Sequence, residues 1–134
     1  MTVQVRDAMT GLVVSIGPNH TLRQAAQAMS ARRVGAAVIL DGDASGPSIL
    51  TERDILDALA AGCDPDRETV GNHLTQDAVV ASPDWSLGDA GRAMVQGSFR
   101  HLVVVEGGEV VGVLSVRDVL RTWAGNALVG AAPA

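Results

Sequence analysis

The sequence predicts a mixed α/β (α+β) fold in which one unit of about 60 residues is used twice. Three observations predict it. The chain aligns with itself when shifted by 65 residues. Its apolar residues alternate between helical spacing and short continuous runs, the signatures of amphipathic helices and buried strands. Both copies also carry the same junction, an apolar strand followed by a hydroxyl residue, two more residues, an aspartate and a helix. That junction is SILTERDIL from Ser48 to Leu56, and GGEVVGVLSVRDVL from Gly107 to Leu120.

The repeat preserves spacing as well as composition. Val5, Thr10, Val14, Pro18, Leu22 and Met29 meet identical residues at Val70, Thr75, Val79, Pro83, Leu87 and Met94. After one deleted residue the shift becomes 64, and Leu50, Arg53, Asp54 and Leu56 meet Leu114, Arg117, Asp118 and Leu120. The first copy is placed at residues 1–65, the second at 66–126, and a small apolar tail at 127–134.

Within a copy the elements follow in order. Val3 to Met9 is a short lead-in helix. Leu12 to Ile16 is an extended run stopped by Gly17-Pro18. Thr21 caps a helix with Gln24 three residues on, a capping-box pattern. Leu22, Ala25, Ala26 and Met29 share one face of that helix, which ends near Arg32-Arg33. Ala36 to Leu40 is a buried strand, DGDASGP a turn-rich loop, and Ser48 to Leu50 the next strand. Glu52 to Ala61 is a helix stopped by Gly62. CDPDRET, Cys63 to Thr69, is read as a linker. The second copy repeats the order, with a lead-in at Val70 to Leu74 and an extended run at Val79 to Ala81. A helix capped by Ser86 follows, then a hairpin around Gly107-Gly108 and a last helix from Val116 to Ala124. Leu22, Met29, Leu87 and Met94 belong either to the core or to a face against a second chain.

Composition narrows the function classes. With 47% hydrophobic residues the chain is globular. The formal charge is −5, and all ten basic residues are arginine with no basic run. That argues against nucleic-acid and anionic-lipid partners. No signal peptide or membrane-length apolar run is present, and Cys63 is the only cysteine, so a cytoplasmic protein is expected.

Thr51-x-x-Asp54 and Ser115-x-x-Asp118 have two readings. Each is the pattern of a helix N-cap. Each also sits at a strand-to-helix corner, where free N–H groups and the helix dipole receive phosphates and a carboxylate can accept from ribose hydroxyls.

The arrangement resembles a tandem pair of cystathionine-beta-synthase (CBS) domains over about Val3 to Ala124. VRDAMT, MSARRVGAAVIL and SILTERDIL carry the resemblance in the first copy, and MVQGSFRHLVVVEGGEVVGVLSVRDVL carries it in the second. It implies a βαββα unit in each copy, pseudo-two-fold packing of the copies, and frequently a homodimer. It also implies clefts for adenosine-containing ligands such as AMP, ADP, ATP or S-adenosylmethionine, and a regulatory role. By the same resemblance, Asp54 and Asp118 hold ribose hydroxyls, with Thr51 and Ser115 beside the ribose or phosphate. Gly17 and Ser82 line the adenine pocket, and Val34, Gly35, Phe99 and Arg100 form the strand edge against the base. The basic pair Arg100-His101 reaches phosphate, whereas its equivalent Gly35-Ala36 carries no charge. The Asp54 cleft is therefore expected to be the better nucleotide site. Arg53 and Arg117 are read as phosphate contacts or as solvated helix-start residues.

No catalytic motif is present, so no enzyme and no required cofactor are expected. His20, His73, His101 and Cys63 show no zinc spacing, and no metal site is expected. Trp85 and Trp123 are expected to cover core edges. Two rival classes remain: a ligand-free structural or protein-interaction module regulating an unidentified partner, and an oxidation or metal sensor working through Cys63 and the histidines.

Overall fold

A computed structural model describes residues 3–39, 46–76 and 78–130. The expected strand end at Leu40, most of the following loop and the last tail residues lie outside that set. The chain forms two compact units. One is built from Val13 to Ala78. The other joins the residues up to Leu12 with those from Val79 onward.

The first of these units contains β1 (Ser15–Ile16), α2 (Leu22–Arg32), β2 (Ala36–Ile39), β3 (Ser48–Thr51), α3 (Glu52–Ala60) and a 3₁₀ turn at Val70–Asn72. The second contains α1 (Val5–Ala8), β4 (Val80–Ala81), α4 (Leu87–Gly97), β5 (His101–Glu106), β6 (Glu109–Ser115) and α5 (Val116–Gly130). Each has a three-stranded sheet, β1-β2-β3 or β4-β5-β6, with one parallel and one antiparallel pairing.

The duplication is visible in the register. Ser15 faces Val38 as Val80 faces Val103, and Ala36 faces Thr51 as His101 faces Ser115. Both parallel pairs keep the 65-residue offset read from the sequence, and the one-residue deletion falls between the two antiparallel strands. The β5–β6 hairpin turns on Gly107 and Gly108, both at positive φ, and is bulged between Val104 and Val105.

The lead-in segments are exchanged. Val5 and Arg6 donate backbone hydrogen bonds to the carbonyls of Trp85 (2.8 Å) and Pro83 (3.1 Å). Val70 and Gly71 donate in the same way to His20 (2.8 Å) and Pro18 (2.8 Å). Each lead-in therefore docks on the loop and helix start of the other repeat. Thr10 pairs with Val113 on one sheet edge and Thr75 with Ile49 on the other.

Each unit has its own core. Val5, Leu87, Ala90, Met94, Leu102, Val104 and Leu114 fill one. The equivalent Val70, Leu22, Ala25, Met29, Ala37, Ile39 and Leu50, joined by Ala58, fill the other. Leu22, Met29, Leu87 and Met94 are thus core residues of their own units, which decides between the two readings of those helix stripes. The tryptophans depart from expectation: Trp85 and Trp123 are exposed, Trp123 at 67%. The last helix also continues past Gly125 to Gly130, since nothing in that stretch breaks helical geometry as proline would.

Gly112 on β6 lies against the lead-in of its unit. A Cβ there would stand 2.9 Å from Met9 Sδ and 2.9 Å from the Thr10 carbonyl oxygen. The thioether can move but the backbone oxygen cannot do so cheaply. Gly112→Ala should therefore cost about 1–3 kcal/mol in urea denaturation, the usual range for overpacking. An unchanged midpoint would show that the lead-in is not held there.

Candidate functional site

The site begins at the two strand-to-helix corners. In each, the chain leaves the sheet in an extended conformation and enters a helix within one residue. Thr51 caps α3 and accepts from the Asp54 N–H at 3.2 Å, while Asp54 Oδ2 accepts from the Thr51 N–H at 2.9 Å. Ser115 and Asp118 repeat this at 3.1 Å and 2.9 Å. The next amide is tied across the sheet end. Glu52 N–H donates to the Gly35 carbonyl (2.9 Å), and Val116 N–H to the Arg100 carbonyl (2.8 Å).

The capping reading is thus satisfied at both corners, which limits what the helix N-terminus can offer an anion. At the α3 corner the Thr51, Glu52 and Asp54 amides are already engaged. What remains is carboxylate: Asp54 is half-buried, and its Oδ1 has no partner among the described residues. Asp118 is only 5% exposed, and its Oδ1 lies 3.4 Å from Arg121 Nη1. The two corners share a backbone and differ in the freedom of one oxygen.

The helices not entered directly from a strand differ from each other. Thr21 and Gln24 form a full capping box. Ser86 accepts from Asp89 N–H, but the Asp89 carboxylate turns to Arg92 instead of back to the cap. Its hydrogen bond to Arg92, and next that to Ser86, hold Asp89 below the usual carboxylate value.

The remaining expected site residues divide between sheet ends. Val34 and Gly35 precede β2 at the Thr51 end, and Phe99 and Arg100 precede β5 at the Ser115 end. Phe99 is half-buried against its own core, Arg100 is exposed, and His101 opens β5 opposite Ser115. Gly17 and Ser82 are not brought to the corners of their units. Parallel pairing puts Gly17 beyond the Ile16–Ile39 pair and Ser82 beyond Ala81–Val104, at the opposite end of each sheet. There each closes a turn, its carbonyl accepting from His20 N–H (3.2 Å) or Trp85 N–H (3.1 Å). Arg53 lies 3.2 Å from Asp57 on the solvent side of α3, and Arg117 is exposed.

Two apolar residues at the corner ends were not among the expected ones. The Val14 carbonyl accepts from Val38 N–H (2.8 Å), and the Val79 carbonyl from Val103 N–H (3.0 Å). Each therefore stands at the corner end of its edge strand. Val79 is 43% exposed and Val14 partly so, an apolar surface on which a base can pack. Their identity in both copies was the available signal.

Comparisons with known proteins agree with this architecture. The family described as CBS domain matches residues 5–61 and 70–125. An uncharacterised protein of Methanocaldococcus jannaschii is 32% identical over 126 residues, 91% of this chain and 45% of that protein. The chain thus spans less than half of that relative's length. The CBS domain-containing protein YhcV of Bacillus subtilis is 33% identical over 130 residues, 96% of this chain and 91% of its own. Among solved structures, a CBS domain protein of Pyrobaculum aerophilum, described as complexed with AMP, superposes with a TM-score of 0.78 at 30% identity. The match covers 92% of this chain and 99% of that one.

The corners are held by their caps, so Thr51→Ala and Ser115→Ala should each lower stability by about 1 kcal/mol in urea denaturation. Restoring serine at position 51 should recover most of the loss. A loss near zero at both positions would mean that the backbone ties to Gly35 and Arg100 suffice.

Proposed function

Because the chain belongs to the CBS-domain family and carries the domain twice, we propose that it is a regulatory module rather than an enzyme, one that binds an adenosine-containing ligand at a strand-to-helix corner. The observation that carries this reading is the uncommitted Asp54 carboxylate oxygen beside Thr51. A ribose offers two adjacent hydroxyl donors, and a carboxylate with a free oxygen is the matching acceptor. Val14 and Val34, at the same end of that unit's sheet, supply apolar surface for the base. Of AMP, ADP, ATP and S-adenosylmethionine, AMP is the first choice, because the Pyrobaculum relative is described as binding it. The ligand acts by differential affinity. It shifts the protein between two packings by as much as it prefers one of them.

Self-association is part of the proposal. Leu56 and Leu59 on α3 are exposed, as are Val116, Leu120 and Trp123 on α5. On α5 the spacing of four and then three residues puts these side chains on one helix face. Exposed leucines and a tryptophan at helical spacing support a homodimer as the assembled form. This feature also favours the second reading, a ligand-free interaction module. No helix among the described residues is long and apolar enough to cross a membrane.

Calorimetric titration with AMP, ADP, ATP and S-adenosylmethionine tests the ligand. Asp54→Ala should weaken binding about 10–100-fold, the worth of a hydrogen bond to a charged group, and Asp118→Ala should weaken it less. Asp54→Asn, which keeps a capping acceptor, separates loss of the ligand contact from loss of the cap. No heat from folded protein with any ligand would leave the interaction module as the function.

Sedimentation equilibrium tests the assembly. Trp123→Glu or Leu56→Glu should shift the protein toward monomer. Wild-type protein that is already monomeric would remove the homodimer.

A further inference from the structure

We propose that Cys63, Glu68 and His73 form a binding site for a thiolate-preferring divalent transition ion such as Zn²⁺. Their ligand atoms lie within 4.8 Å of one another, and all three side chains are half-buried. His73 Nε2 stands 2.8 Å from Glu68 Oε1. In tetrahedral zinc sites, metal–ligand bonds of about 2.0–2.3 Å set neighbouring ligand atoms about 3.5 Å apart. Side-chain rotation alone brings this trio to an ion.

The segment that carries the ligands is held in place, although the sequence reads as a linker. α3 ends in a Schellman motif with Gly62 at φ +90°, Gly62 N–H bonded to the Leu59 carbonyl (3.0 Å) and Cys63 N–H to the Ala58 carbonyl (3.0 Å). This fixes the cysteine against the core beside Ala58 and Val70. Glu68 N–H donates to the Asp64 carbonyl (2.8 Å), and the Glu68 carbonyl accepts from Leu22 N–H (3.0 Å). Arg23 pairs with Asp66, and the Pro65 carbonyl accepts from Arg23 N–H, so the segment is clamped to the start of α2. His73 closes the 3₁₀ turn, its N–H on the Val70 carbonyl (3.0 Å).

The chemistry matches the ion. Binding releases the Cys63 thiol proton to solvent, and His73 ligates as neutral imidazole through Nε2 with its one ring proton on Nδ1, the ion taking the place of the direct His73–Glu68 contact. A thiolate and a carboxylate then balance the charge of a divalent cation, with neutral imidazole as third ligand. Sulfur and nitrogen donors favour Zn²⁺ over Mg²⁺ or Ca²⁺. Among the described residues no fourth side chain joins the group, so water completes the tetrahedron. The site belongs to one repeat only, because Val3 and Ala8 stand at the positions equivalent to Glu68 and His73.

The test is titration of the reduced, tag-free chain with Co²⁺, followed by thiolate-to-cobalt charge-transfer absorption. We expect one Co²⁺ per chain, displaced by Zn²⁺. The band should vanish in Cys63→Ser, and affinity should fall at least about 10-fold in His73→Gln and in Glu68→Gln. Circular dichroism verifies that each variant is folded. Independently of any variant, Zn²⁺ should slow alkylation of Cys63 in the wild-type chain. No charge-transfer band, a band indifferent to His73 and Glu68, or an alkylation rate unchanged by Zn²⁺ would each overturn the site.

Discussion

Val5 and Val70, both fully buried, each complete a core otherwise built from the other repeat. Everything else in the fold depends on that exchange. A repeat of about 60 residues is marginal as a private domain. Its sheet has three short strands, of two, four and four residues in the unit from Val13 to Ala78. Burying one valine contributes about 1.5–3 kcal/mol, a large share of what so small a core can spare. The same docking aligns backbone donors with the carbonyls that precede α2 and α4, so turn and plug are fixed together. The chain enters the second repeat's unit first, leaves after Leu12 to build the other, and returns at Val79.

The strand-to-helix corners follow from a second constraint. A helix that starts directly at a strand end has its first amides at the sheet edge, where each needs an acceptor. Threonine or serine, the aspartate three residues on and the carbonyl before the central strand supply them at both corners. The aspartate is thus structural before it is functional, and only the oxygen left over can serve a ligand. Asp54 keeps such an oxygen, whereas Asp118 is buried and faces Arg121. Two corners with the same hydroxyl-x-x-aspartate pattern thus differ in the surroundings of one carboxylate. The arginine that distinguishes them lies on α5, at a position equivalent to Asp57 on α3.

Local features were legible because local chemistry dictates them. The Thr21 box and the Gly107-Gly108 turn follow from residue type and spacing. Docking choices were not legible. Val5 and Val70 look alike, and nothing near either says which repeat receives it. Helical periodicity marks Leu22 and Met29 as buried without naming their neighbours. The end of the sheet that Gly17 occupies was likewise not legible, because it follows from the parallel pairing of β1, which sets Gly17 away from the corner of its unit. Cys63 and His73 stand in the sequence as candidate ligands, but their grouping with Glu68 was not legible, for another reason. The three are spaced by five residues and then five, a period of neither helix, strand nor zinc motif. Only a Schellman turn and a 3₁₀ turn fold that spacing back on itself.

Cys63 and Glu68 precede Val70 and His73 follows it, and this sets what a ligand on the segment can reach. Hydrophobic burial holds the plug without direction, whereas a coordinated ion would hold the residues on either side of it by bonds of fixed length and angle. The two forces act on the same few residues, so occupancy of one adds to the hold of the other. Such coupling would extend to one core only, because the other plug, Val5, has Val3 and Ala8 where Glu68 and His73 would be needed. Duplication gives the chain two similar cores and two similar corners. Departures from the repeat, at Arg121 where α3 has Asp57 and at Glu68 with His73 where the other lead-in has Val3 and Ala8, are what make the two units chemically distinct.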